Sequence, residues 1–115
     1  KRAWVSPIGM LVHETAGLFA PYRGAIRFPF ELAQPAKLSA APCETCAKPC
    51  LAACPVDALG PDTYDVETCM AHIDGPDTAL CKSQGCAARR ACPVSQSYGR
   101  RPEQSAFHMR AFLGE

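Results

Sequence analysis

No apolar run in this chain approaches the length needed to cross a bilayer. The stretch Lys1-Arg2-Ala3-Trp4-Val5-Ser6-Pro7 has no uninterrupted apolar segment of signal-peptide type. A soluble, cytoplasmic protein is therefore expected. The chain also has no P-loop, no dinucleotide fingerprint and no Gly-x-Ser-x-Gly elbow, so nucleotide binding and serine hydrolysis have no support. His13, in Val12-His13-Glu14, lacks the second histidine of a zinc-protease helix. The basic residues lack aromatic interleaving. With a net charge of only +1, this argues against nucleic-acid binding.

Cysteine is abundant instead. Eight cysteines in 115 residues imply a covalent or metal constraint. Four of them, Cys43, Cys46, Cys50 and Cys54, fall within a dozen residues, and the run closes on Cys54-Pro55. Cys69, Cys81, Cys86 and Cys92 follow, and Cys92 again precedes a proline. Ala53-Cys54-Pro55-Val56 and Ala91-Cys92-Pro93-Val94 thus form a weak internal repeat. Short loops with a cysteine every three or four residues suit iron-sulfur ligation, in which thiolates hold the iron corners of a 4Fe-4S cube. Proline after the cysteine has a fixed φ and no N–H, so it is expected to end the turn and redirect the chain. Three rivals remain open: structural zinc, which uses Cys-x2-Cys elements in well-separated pairs; disulfides, which belong mostly to oxidising compartments; and a catalytic cysteine, which no residue singles out.

The segment Cys54-Pro55-Val56-Asp57-Ala58-Leu59-Gly60, followed by Tyr64-Asp65-Val66-Glu67-Thr68-Cys69, resembles the middle of bacterial two-cluster ferredoxins. Together with Met70-Ala71-His72-Ile73 and the upstream Gly17-Leu18-Phe19-Ala20-Pro21-Tyr22-Arg23-Gly24-Ala25-Ile26, it is most similar to the ferredoxin module of epoxyqueuosine reductase and other corrinoid-dependent reductases, including reductive dehalogenases. The resemblance implies a small, loop-rich α+β ferredoxin-like domain in which a short strand leads to Cys69. It implies cross-ligation, with Cys43, Cys46, Cys50 and Cys92 on one 4Fe-4S cluster and Cys54, Cys69, Cys81 and Cys86 on a second. The implied function is one-electron transfer through two clusters, or through one if the second motif is degenerate, toward a redox partner protein. The alternatives are the electron-transfer module of a corrinoid-dependent reductase and a zinc- or disulfide-stabilised structural module. The chain departs from the usual spacing in having three residues between Cys46 and Cys50 and a stretched second motif.

At this length one thin core is expected, with metal clusters supplying the missing stabilisation. The proline-bounded run from Ala33 to Pro42 reads as a linker, which divides the chain into an extension over 1–42 and a cluster domain over 43–115. Residues 22–30 alternate crudely between Tyr22, Gly24, Ile26, Phe28 and Phe30 on one side and Arg23 and Arg27 on the other, which predicts a short strand. A C-terminal helix is expected from Pro102, suited to a first turn, to Gly114, suited to an exit, with Ala106, Met109, Phe112 and Leu113 as its apolar stripe.

Charge is segregated along the chain. Between Pro55 and Cys81 lie Asp57, Asp62, Asp65, Glu67, Asp74 and Asp77 with no Lys or Arg, whereas Lys82, Arg89, Arg90, Arg100, Arg101 and Arg110 follow against Glu103 and Glu115. A solvated surface is the plain reading, and a dipole that orients the protein on a partner is the functional one. Arg89 and Arg90 stand between two cluster cysteines, where their charge would raise a potential. His72, near Cys69, reads as a surface residue or a cluster neighbour, and His108 as a packing or solvent residue. No residue is assigned as catalytic, and a carrier is expected rather than an enzyme.

Overall fold

A computed structural model describes residues 2–33, 40–76 and 80–115. The central part of the expected linker and Asp77 of the acidic stretch lie outside the described residues. The chain opens with a hairpin of two short strands, β1 (Ala3–Val5) and β2 (Leu11–His13), paired antiparallel with Trp4 opposite Val12. After β2 the chain turns back on itself at His13, whose Nδ1 accepts the N–H groups of Thr15 and Ala16 at 3.1 and 3.2 Å. This turn directs Gly17 and Leu18 into the interior.

Beyond the hairpin the regular structure is helical. A 3-10 turn at Pro49–Leu51 precedes α1 (Val66–Asp74), α2 (Cys81–Gln84), α3 (Ala87–Ala91), α4 (Pro93–Tyr98) and α5 (Pro102–Leu113). Several helix boundaries have a local cause. Asp65 caps α1, with its carboxylate accepting from the Thr68 N–H at 3.0 Å and the Thr68 hydroxyl at 2.7 Å. Cys92 is extended, as the residue before a proline must be, and separates α3 from α4. Pro93 and Pro102 open α4 and α5, and Gly114 closes α5 in the left-handed conformation.

The core lies between the N-terminal hairpin and the helices. Ile8, Val12 and Leu18 pack with Cys50, Leu59, Ala88 and Cys92, and Trp4, Met10 and Val94 cover them. Gly17 fits there because it has no side chain: a Cβ on it would lie 2.4 Å from the Ser95 nitrogen. The adjacent Leu18 N–H donates to the buried Ser95 hydroxyl at 2.9 Å, tying the hairpin to α4. A second close approach seats α5 on α2, since a Cβ on Gly85 would lie 2.7 Å from that of Ser105. Among the described residues no helix is long and apolar enough to cross a membrane.

This architecture corrects the expected fold class. The chain is mainly helical with one open two-stranded sheet, and is not a loop-rich ferredoxin-like α+β domain. The segment leading into Cys69 is the start of α1 and not a strand. The strand expected over 22–30 does not form: every residue from Pro21 to Leu32 is exposed, and among the described residues no neighbouring strand pairs with it. Pro93 does not merely end a turn but starts a helix.

Candidate functional site

The cysteines sit in two neighbourhoods, each held by short local structure. Cys43, Cys46 and Cys50 lie on the loop leading into the 3-10 turn, and Cys92 reaches them from the junction of α3 and α4. Lys48, in left-handed backbone, donates its N–H to Cys46 Sγ at 3.3 Å. In the second neighbourhood Cys69 on α1 stands near Cys86, Cys54 and Cys81, with the Ala58 N–H donating to Cys54 Sγ at 3.3 Å and the Tyr64 hydroxyl to Cys69 Sγ at 3.8 Å. All eight cysteines are free thiols.

At three of the cysteines the surroundings favour the protonated thiol. Burial pushes the Cys43, Cys50 and Cys69 thiols up, and repulsion between neighbouring sulfurs adds to it. A raised pKa leaves little thiolate at neutral pH, contrary to the need of a nucleophilic cysteine.

The first neighbourhood borders an enclosed cavity of about 10 Å³, walled by Val12, Leu18 and Pro49 as well as by Cys43, Cys46, Cys50 and Cys92. That is room for about one water molecule. Among the described residues, no three His, Cys, Asp or Glu side chains converge in a group that could hold a metal ion. The expected pair of 4Fe-4S clusters is therefore corrected, and with it the iron-sulfur, metal-binding and electron-transfer reading and the resemblance to the ferredoxin module of corrinoid-dependent reductases. The structural-zinc alternative falls on the same geometry, and the disulfide alternative on the eight free thiols. Spacing along the chain established which cysteines were near in sequence, but not how closely their sulfurs converge once Cys50, Cys81 and Cys92 are packed into the interior.

A cleft of about 290 Å³ opens beside the second neighbourhood. Its apolar wall is Met10, Phe19, Leu59, Met109 and Phe112, and its polar groups are Tyr64, Cys69, Cys86, Arg89, Arg100 and His108. α3 supplies Arg89, the loop before α5 supplies Arg100, and α5 supplies His108 from the middle of its inner face. Arg100 is held in place from one side, donating to the Phe19 carbonyl at 3.2 Å with its guanidinium 5.2 Å from the Phe19 ring centre. Its Nε is buried without a hydrogen-bond partner among the described residues.

No carboxylate lines the cleft, and neither arginine is in an ion pair among the described residues. The field is therefore positive. Burial, reinforced by Arg89, lowers the pKa of Arg100. Burial also lowers that of His108, with Arg100, Arg23 and Arg89 adding to the effect, so its imidazole is neutral at pH 7. Tyr64 is pushed up chiefly by burial and then by its bond to Cys69, and stays a neutral hydroxyl.

Several of these residues escaped the sequence reading. Arg100 was recognised only as part of a basic stretch, and His108 as packing or solvent. Phe19 and Tyr64 meet them only through the fold, so no local signal marked them. Of the other singled-out residues, Arg90 donates through Nε to the Gly85 carbonyl at 3.0 Å, and His72 is partly buried with its Nε2 unpartnered among the described residues. No protein-family model, no curated protein and no solved structure matches this chain.

Proposed function

We propose that this chain is a ligand-binding module, not an enzyme, and that its cleft takes a small organic anion with an apolar body. One observation carries the reading: Arg89 and Arg100 face an apolar cleft that contains no carboxylate. A guanidinium presents a planar fork of donors that matches a carboxylate or phosphate, and its attraction strengthens away from bulk water. Phe19, Met109 and Phe112 then receive the aromatic or aliphatic part, as in most small-molecule sites. Neutral His108 and Tyr64 are available to hydrogen-bond the ligand, and Cys69 and Cys86 of the second cysteine set are its thiol contacts. The raised thiol pKa values support binding over catalysis. Free thiols throughout support a reducing, cytoplasmic setting.

The test is an NMR titration with aromatic carboxylates and aryl phosphates. Shifts are expected at Phe19, Arg89, Arg100 and Phe112, and Arg89→Ala and Arg100→Gln each weaken affinity about tenfold or more by removing a charged hydrogen bond. A folded protein that binds none of these anions, or whose variants bind equally well, overturns the proposal.

A further inference from the structure

The segment from Pro21 to Ala33 is a strap with no regular secondary structure and with all its residues exposed. It carries Tyr22, Ile26, Phe28, Phe30 and Leu32, and Ile26 is 83% exposed. A chain of this size seldom leaves five large apolar side chains in one run facing water unless something covers them. Arg23 and Arg27 belong to the same segment, neither in an ion pair among the described residues.

A segment of opposite character lies further along the chain. Residues 57–67 form a tight turn, closed by the Leu59–Tyr64 bridge and by the Asp65 N–H donating to the Ala58 carbonyl at 2.9 Å. The turn exposes Asp57, Asp62, Asp65 and Glu67, with half-exposed Tyr64 and Val66 among them. No lysine or arginine interrupts it.

We propose that the strap of one copy of this chain docks on the 57–67 turn of a second copy, with the exchange made in both directions to give a two-fold dimer. Arg23 and Arg27 then face the carboxylates of the partner copy, and Ile26, Phe28 and Phe30 cover Tyr64 and Val66. A reciprocal pair of straps removes on the order of 1,000 Å² from water, near the lower bound for a specific interface. Reciprocity is what closes the assembly, because a one-way contact of this kind would propagate into fibres.

The experiment is sedimentation equilibrium of the full chain across salt concentrations. A dimer is expected at about 100 µM, with association weakened about tenfold between low and high salt because the contact joins opposite charges. The double variant R23E/R27E is expected to be monomeric, and so is D57R/D62R. An equimolar mixture of the two is expected to recover a heterodimer, because both of its strap-on-turn pairings are complementary, one native and one with the charges exchanged. Ile26→Ser with Phe30→Ser is expected to be monomeric at every salt concentration. All these positions are exposed, and circular dichroism confirms that each variant is folded. A monomeric wild type, a dimer that persists in R23E/R27E, or a mixture that stays monomeric overturns the proposal.

Discussion

Ser95 is a small residue with a large structural role. Its hydroxyl is buried, accepts the Leu18 N–H, and presses against Gly17, so one side chain fixes where the hairpin meets α4. Ser95→Ala keeps the fit but strands the Leu18 donor without a partner, and is expected to destabilise the fold by about 1–3 kcal/mol. Urea unfolding measures this as a lower midpoint at unchanged slope. An unaltered midpoint would mean that the Leu18 N–H finds another acceptor. This contact could not be read from the chain, because residues 18 and 95 carry no motif and meet only in the fold. The cysteines pose the opposite case: their pattern was prominent, yet proximity along the sequence set no distance between sulfurs.

At the scale of elements, α5 was the most legible. Pro102 and Gly114 bracket it, and its 12 residues are long enough for Ala106, Met109 and Phe112 to mark an inner face. The strands of the N-terminal hairpin have three residues each, too few for any alternation to stand out. The false strand at 22–30 had alternation but no partner edge, and a strand without a ladder leaves its backbone to water. The start of α1 is legible in its cap, Asp65 with Thr68 three residues on. Asp65 holds its pKa below the ordinary carboxylate value through the bonds from Thr68. The sign follows: a depressed folded pKa stabilises the fold above the unfolded value, and this stabilisation is lost as pH falls through the folded one. Asp65→Asn retains an acceptor for capping but cannot titrate. Melting temperature against pH is therefore expected to fall less steeply on the acid side in Asp65→Asn than in the wild type. Identical acid limbs would show that the cap carries no pH dependence.

Across the whole molecule, the cysteines are distributed between interior and surface loops. Cys50, Cys81 and Cys92 are buried, and the other five are partly exposed. A thiol reagent is expected to label all eight in denaturant, but to reach these three in the native protein only as fast as the structure opens. Mass spectrometry of the labelled peptides identifies them, and rapid labelling of Cys92 would place it outside the core. The cleft could not be read from the sequence. Its walls come from Met10, Leu59, Arg89 and Phe112, which only the closing of the hairpin on the helices brings to one place.

The bond from Leu18 to Ser95 also sets an order of events. The partners are 77 residues apart, and Ile8, Val12 and Leu18 share their core with Cys50, Leu59, Ala88 and Cys92. Ile8, Val12 and Leu18 are synthesised before α3 and α4, so the part of their seat that Ala88, Cys92 and Ser95 supply is completed only once those helices have been made. The hairpin therefore receives its last core contacts late, from helices that lie far along the chain.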